Sequence, residues 1–315
     1  MTKAGSDQTA MPSVLRGIAL KVSAVLLFTV MAALVKAAAE TVPPGQTVFF
    51  RSIFAIPVIL GWLAIRKELS TGLRVTRVSG HVWRGLIGVT AMGCGFAAIG
   101  LLPLPEVTAL SYAAPLMAVL LAALLLGERL RAFRLVAVGV GLVGVGIVMW
   151  PRLSLDTLDQ LALWGVAFAL VSAALRALAQ IHIRRLVATE PTAAIVFYFS
   201  LTATVLSLVT VPFGWVVPDG LTLAMLIGTG LIGGVAQILL TSAYRYAQAA
   251  ALAPFDYASL IFAIAFGYLF FSEVPTLAVL VGSGIVAAAG MVIIWREWQL
   301  GLERGRARPT MTPQA

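Results

Sequence analysis

Residues 108–150 read TALSYAAPLMAVLLAALLLGERLRAFRLVAVGVGLVGVGIVMW, and residues 253–295 read APFDYASLIFAIAFGYLFFSEVPTLAVLVGSGIVAAAGMVIIW. At a constant offset of 145 residues, the two stretches are identical at nine of 43 positions. The identities that carry the alignment involve residue types that are rare in this chain, namely Tyr112/Tyr257, Glu128/Glu273 and Trp150/Trp295. Each copy has an apolar segment, a short acidic turn and a second apolar segment. The pattern predicts an internal duplication.

The composition defines the class of protein in which this duplication occurs. Of the 315 residues, 60% are hydrophobic and 11% are charged, and the mean hydropathy is +1.00. Soluble domains carry about a quarter charged residues, so this chain has too little polar surface to face water on all sides. We therefore predict an all-α integral membrane protein. The single cysteine, Cys94, excludes a disulfide framework and a cysteine-based metal site.

Apolar segments of the right length to cross a hydrocarbon core of about 30 Å recur along the whole chain. We predict ten membrane-spanning helices, at 17–38, 46–65, 85–102, 106–126, 132–150, 161–181, 192–211, 221–244, 249–271 and 276–295. Polar tails are expected at 1–12 and 297–315. A signal peptide is the alternative interpretation of the first segment, because Ala37-Ala38-Ala39 resembles a cleavage site, but the apolar run is longer than a signal peptide requires.

The distribution of Lys and Arg predicts the orientation of these helices. With a cytoplasmic N-terminus, 18 of the 22 basic residues fall on the cytoplasmic side and only Arg152 falls outside. Both termini are therefore expected in the cytoplasm. We divide the chain into two five-helix repeats, 1–150 and 151–315. Because five is an odd number, the repeats must be inverted relative to each other, an arrangement typical of secondary transporters.

Two short motifs support a specific family resemblance. The segment Leu110-Ser111-Tyr112-Ala113-Ala114-Pro115, followed by Leu126-Gly127-Glu128, resembles the drug/metabolite transporter superfamily of the EamA type, and Phe50-Arg51-Ser52 is similar to that family's pattern in the second helix. The resemblance covers about residues 16–295. It implies ten helices around a central substrate cavity in the inner membrane. Among relatives, the chain is similar to amino-acid exporters of the YddG type and to S-adenosylmethionine uptake transporters.

Charges inside apolar segments are costly and therefore mark candidate functional residues. Lys36 and Arg51 are expected toward the outside, near Glu106, while Arg176 and Asp256 are expected at similar depth toward the cytoplasm. We predict that Arg176 and Asp256 approach each other, directly or through water, below the cavity on the cytoplasmic side as a gating or coupling pair. A purely structural role is the alternative for all five residues.

The family resemblance also implies which helices line the cavity: the first, third, fourth, sixth, eighth and ninth. Their aromatic, amide and thioether side chains near mid-span suit a small amphipathic solute better than a bare ion. Each of these residue types, taken alone, serves helix packing more often than ligand contact. The candidates are Phe28, Met31, Met92, Phe96, Tyr112, Trp164, Phe168, Gln180, Gln237, Tyr244 and Tyr257.

Two G-x-G-x-x-G matches, at 139–144 and 228–233, suggest nucleotide binding only superficially. Both lie inside apolar segments, without the strand and helix start that give the motif its meaning. We interpret these glycines, with the Gly230/Gly234 spacing, as close helix-packing positions. No catalytic set is present, so we expect no enzyme activity, cofactor, metal or nucleic acid. The expected partners are a small-molecule substrate and the lipid bilayer, around a monomer.

The functional prediction is a secondary transporter that moves a small organic metabolite by alternating access. An amino acid is the preferred substrate, with export as the preferred direction. S-adenosylmethionine uptake is the alternative within the same class. A channel or a non-transporting membrane scaffold is the alternative from another class, and counterflow exchange would separate a carrier from a channel.

Overall fold

The computed structural model describes residues 10–126, 132–152, 160–186, 189–247 and 252–306, which are helical throughout apart from short turns. The helices of the first half are α1 Ala10–Ala38, α2 Pro44–Ile65, α3 Leu69–Gly72, α4 Val78–Leu101, α5 Leu104–Ser111, α6 Ala113–Leu126 and α7 Ala132–Met149. Those of the second half are α8 Gln160–Leu186, α9 Thr192–Ser207, α10 Gly220–Tyr246, α11 Ala258–Phe271 and α12 Leu277–Arg306. Short 3-10 segments cover Trp150–Arg152, Leu208–Phe213 and Ala253–Tyr257.

Eight helical segments of the described chain are long and apolar enough to cross a membrane. The fourth and fifth predicted spans do not meet that criterion. The fourth is divided at Tyr112 into α5 and α6, and the apolar part of the fifth is the shorter helix Leu135–Met149. The all-α prediction is confirmed. The count of ten spanning helices stays a prediction.

Contacts between pairs of helices determine which side chains face the interior of the bundle. The main pairs are α1 with α10, α4 with α8, α7 with α12, and α2 with both α9 and α10. Glycines allow the closest approaches. A Cβ atom built on Gly230 would lie 2.4 Å from Cβ of Phe54 on α2, and one built on Gly144 of α7 would lie 2.8 Å from the carbonyl oxygen of Gly282 on α12. The prediction that these glycines serve helix packing is confirmed for all of them except Gly139, where an added Cβ atom would meet nothing within 4 Å.

The largest buried cluster lies where α4, α5, α6, α7, α8 and α12 meet, and it includes Leu116, Val145, Ala169 and Val286. Large apolar residues cover the outside of the bundle; Val217 is 98% exposed and Leu124 is 79% exposed. In water, so much exposed apolar surface would favour aggregation, whereas lipid tails solvate it. The polar and charged groups described below are correspondingly internal.

Two ends of the bundle are distinguished here by the course of α1. We call the end where α1 begins the terminal face and the end where α1 finishes the distal face. Asp256, just before α11, pairs with Lys21 of α1, and Glu273, just after α11, pairs with Lys36 farther along α1, so the two helices run parallel. α12 then returns antiparallel to α11 toward the terminal face. The start of α1 and the end of α12 therefore lie on the same face.

Candidate functional site

The centre of the bundle contains Tyr112 and Tyr257, the counterparts identified in the sequence duplication. Their rings pack edge to face with centroids 4.8 Å apart. The Tyr112 hydroxyl donates to the Tyr257 carbonyl oxygen at 3.2 Å and lies 2.8 Å from the Ser259 hydroxyl. Each tyrosine lies at a helix interruption: Tyr112 separates α5 from α6, and Tyr257 ends a 3-10 segment before α11. Interrupted helices at mid-depth free backbone groups for binding, as in many carriers.

An ion pair connects α1 to the beginning of this second interruption. The Lys21 ammonium lies 2.6 Å from the Asp256 carboxylate, and only 3% of the lysine side chain is exposed against 51% of the aspartate. Lys21 is one of the 18 basic residues that the charge distribution places on the cytoplasmic side. Its burial and pairing make it part of the interior. The pair lies toward the terminal face.

A second ion pair connects α1 to the end of α11 near the distal face. The Lys36 ammonium lies 2.8 Å from Oε1 of Glu273 and donates to the Leu102 carbonyl oxygen, also at 2.8 Å. Oε2 of Glu273 accepts from the backbone N–H of Leu104 at 2.8 Å, at the start of α5. Glu273 was expected only as a turn residue, yet it links α1, α5 and α11. Glu106 is also buried there, with 8% exposure.

The direct contact predicted between Arg176 and Asp256 is wrong for this conformation. Asp256 pairs with Lys21, while Arg176 donates to the Ser172 hydroxyl at 2.9 Å and to the Ser111 hydroxyl at 3.2 Å. Equal depth alone does not bring two charges together, because the helices must also present them to each other. Arg176 contacts α4 and α5 residues and is still exposed, which indicates solvent-sized space beside it inside the bundle.

Arginines on α2 and α4 form a third charged region. The guanidinium carbon of Arg51 lies 5.8 Å from the ring centre of Phe199 on α9, and that of Arg84 lies 4.2 Å from the same centre. Arg51 was predicted as an interior charge. Arg84 immediately precedes the predicted span 85–102 and was therefore expected in the loop before it; the structure corrects this, because Arg84 lies within α4 against an interior aromatic ring. The glycine one helical turn later, Gly88, was the signal in the sequence that could have indicated it.

The predicted cavity residues are distributed over several environments. Phe96 and Tyr112 belong to the buried cluster, and Met31, Met92, Phe168 and Tyr257 pack against it. Phe28 is half-buried, Trp164 is 60% exposed beside Phe168, and Gln237 lines a shallow groove between α2, α9 and α10. The side chains of Gln180 and Tyr244, and all of Glu128, lie outside the described part of the chain. The structure thus brings six of the candidates to the bundle centre.

A helical membrane protein with buried charges around interrupted helices has the features of a membrane transporter. The sequence pattern of the EamA-like transporter family matches residues 15–150 and 163–295. The chain belongs to this family. This establishes a multi-pass membrane transporter of the drug/metabolite transporter superfamily.

Two transporters and one solved structure are similar to this chain over most of its length. The pseudopaline exporter CntI of Pseudomonas aeruginosa is 34% identical over 279 residues, covering 87% of this chain and 94% of the relative. An S-adenosylmethionine uptake transporter of Rickettsia felis is 25% identical over 252 residues, covering 80% and 83%. A solved protein crystal structure aligns with a TM-score of 0.61 at 21% identity, covering 89% of this chain and 98% of the other, which supports the fold alone.

Proposed function

We propose that this protein exports a small amino-acid-type metabolite across the plasma membrane by alternating access, with ten spans in two inverted repeats and both termini in the cytoplasm. The observation that carries the proposal is the pair of ion pairs along α1. Lys21 and Lys36 are fifteen residues apart, about 22 Å along a helix, and each binds a carboxylate at one end of the same partner segment.

Two ion pairs along one helix suit a carrier in which one pair closes each face of the bundle. With both pairs formed, α1 and α11 are held together near both faces. Opening either face requires the pair at that face to separate while the other pair persists, which is the requirement of alternating access. A channel would need no such pair of closures. The charges therefore favour a carrier over a channel.

The helix contacts support two related repeats. In the ten-span numbering, the α1–α10 contact joins spans 1 and 8, and the α4–α8 contact joins spans 3 and 6. A two-fold axis that exchanges the repeats converts one of these pairs into the other. The α7–α12 contact joins spans 5 and 10, which the same axis exchanges. Tyr112 and Tyr257 would lie on that axis.

The substrate is proposed from the mixed interior. Arg51, Arg84 and Arg176 supply cationic donors, while Tyr112, Tyr257 and Phe168 supply aromatic surface. A zwitterionic amino-acid derivative presents a carboxylate to the first group and a side chain to the second. Export is preferred to import because the more similar of the two relatives described above is named an exporter.

A transport panel tests this function. Proteoliposomes containing the full-length protein are assayed for uptake of labelled L-phenylalanine, L-histidine, L-glutamate and S-adenosylmethionine, with and without the same unlabelled compound inside. We expect saturable uptake of an amino acid, accelerated by internal substrate. Uptake of S-adenosylmethionine alone would favour the alternative substrate, and uptake without counterflow stimulation would indicate a channel. No uptake of any compound beyond protein-free liposomes would contradict the proposal.

A further inference from the structure

Arg51 is an unusually isolated charge. It is 5% exposed, and its Nε and Nη1 atoms are buried without a hydrogen-bond partner. A Cβ atom built on Gly233 of α10 would lie 3.4 Å from Nε of Arg51 and 2.8 Å from Sδ of Met31 on α1. The guanidinium group is thus enclosed between α2, α10 and α1. Met31, beside it, is one of the cavity candidates.

Arg84 also has buried N–H groups without a hydrogen-bond partner, and its side chain points into the bundle. Its Nε and Nη1 atoms are also buried without a partner. A Cβ atom built on Gly88 would lie 2.0 Å from Nη1 of Arg84, so the guanidinium occupies the space left by a missing side chain one turn further along α4. Helical side chains normally lean toward the N-terminus, which for Arg84 is also the direction of the nearer membrane surface. Instead of extending toward water, Arg84 extends into the bundle.

Phe199 brings the two guanidinium groups together. The guanidinium carbon of Arg84 lies 4.2 Å from the centre of this ring and that of Arg51 lies 5.8 Å from it, so the two charged groups are close to each other. Within the described residues, neither arginine forms an ion pair with a carboxylate. Two like charges at this distance repel each other, and buried charges are normally paired. Both guanidinium groups therefore keep buried N–H donors that could bind an anion.

We propose that Arg51 and Arg84, with the ring of Phe199 between their helices, form a buried site for a carboxylate group of the transported solute. This assignment rests on the proposed transport function and adds the chemical class of the group that is recognised. Guanidinium groups bind carboxylates through paired N–H donors, and the ring supplies an apolar surface for the adjoining carbon chain.

Ligand-dependent thermal stability of the purified full-length protein tests the site directly. The probes are three carboxylates (benzoate, succinate and L-phenylalanine), their amides (benzamide, succinamide and L-phenylalaninamide) and inorganic phosphate, all at constant ionic strength. The variants are Arg51→Gln and Arg84→Gln. Arg66→Gln is the control, because Arg66 is an exposed residue paired with Glu68 at the end of α2.

At least one carboxylate is expected to raise the Tm of the wild-type protein and of Arg66→Gln, while its amide does not. In Arg51→Gln and in Arg84→Gln, the carboxylate concentration that gives half the maximal rise should increase about tenfold or more, as expected for the loss of a charge-assisted hydrogen bond. Arg51→Lys and Arg84→Lys keep the charge without the planar fork, so they should weaken binding partially. If a glutamine variant does not run as a single peak in gel filtration, the lysine variant at the same position is used in its place.

Three results would overturn the assignment: no carboxylate raises the Tm, the rise persists unchanged in the variants, or only phosphate has an effect. The test is separable from the transport proposal. An arginine-dependent rise without uptake of any solute would contradict the transport function and leave the carboxylate site in place. Equal uptake of amino acids and their amides would contradict the carboxylate site and leave the transport function in place.

Discussion

Tyr112 and Tyr257 lie 145 residues apart in the sequence, and their rings are in edge-to-face contact at a centroid distance of 4.8 Å. In a protein made of two related halves, a residue touches its own counterpart only where both lie close to the axis that relates the halves. This contact therefore supports the proposed two-fold relation between the repeats. It places the interrupted helices at the centre of the bundle, where a substrate site common to both halves would lie.

Hydroxyl removal should affect these two tyrosines differently. The Tyr112 hydroxyl makes two hydrogen bonds, whereas the Tyr257 hydroxyl is buried without a partner. Tyr112→Phe is expected to lower the free energy of unfolding by about 1 kcal/mol, and Tyr257→Phe to change it by less than about 0.5 kcal/mol. Unfolding of the detergent-purified variants measures both. A larger loss in Tyr257→Phe would contradict the described hydrogen bonding.

Breaking the ion pairs at the two faces should have opposite effects on access to the interior. A cysteine at Ser111, in a Cys94→Ser background, reports labelling by a membrane-impermeant maleimide applied to either side. Lys36→Gln and Glu273→Gln should speed labelling from the distal face, and Lys21→Gln and Asp256→Asn should speed it from the terminal face. We expect about fivefold changes, corresponding to about 1 kcal/mol.

The control for that experiment is Arg66→Gln, which breaks an exposed pair with Glu68 that lies outside both closures. It should label like the parent protein. If all four ion-pair variants increased labelling from the same side, the two pairs would not be alternating closures, and the mechanism proposed for transport would fail.

Replacing Arg84 with methionine should stabilise the empty protein. Burying an ion costs several kcal/mol, and its contact with Phe199 returns on the order of 2 kcal/mol. Removing the charge at nearly constant length is therefore expected to raise the Tm by at least about 2 °C in buffer without carboxylates. Arg66→Met, at an exposed position, should change it less. A fall in the Tm of Arg84→Met would show that the arginine has a structural partner.

Glu190 predicts a pH dependence of stability. Hydrogen bonding from the Thr76 hydroxyl, and then from the backbone N–H groups of Arg77 and Thr76, lowers the pKa of the Glu190 carboxyl below its ordinary value. A carboxyl with a lowered pKa stabilises the folded state above its unfolded pKa of about 4.3, and the stabilisation disappears as the pH falls through the folded pKa. Glu190 lies between α8 and α9, so these contacts fasten the start of α4.

Unfolding of wild-type protein and Glu190→Gln from neutral to acidic pH measures this contribution. The wild-type protein is expected to be the more stable of the two at neutral pH, with a difference that is constant down to about pH 5 and shrinks below that. A difference that does not depend on pH would mean that the ionised form of Glu190 is not favoured by folding.

Cysteine labelling tests the membrane orientation that the distribution of Lys and Arg predicts. Single cysteines replacing Glu40 and Asp219 should react with an impermeant maleimide added outside cells, and one replacing Arg74 should react only after the membrane is opened. The distribution of Lys and Arg motivates this expectation. External labelling at Arg74 would reverse the orientation and remove the basis for the inverted repeats.

The sequence by itself determined the membrane class, the helical fold and the family. These follow from composition, from the length of the apolar segments and from motifs such as Phe50-Arg51-Ser52, all of which are local or additive properties of the chain. It also indicated that Tyr112 and Tyr257 are equivalent, because the duplication preserves them. The interior location of Arg51 followed from its place in an apolar segment.

Only the tertiary structure decided which charges meet. Asp256 pairs with Lys21 rather than Arg176, and Lys36 pairs with Glu273, a residue expected only in a turn. Depth in the membrane can be counted along each helix, but the face that a helix turns toward its neighbours depends on packing with segments more than two hundred residues away. The position of Arg84 likewise depends on packing. Its charge is inside the bundle because Gly88 leaves room for it and Phe199, from a distant helix, packs against it.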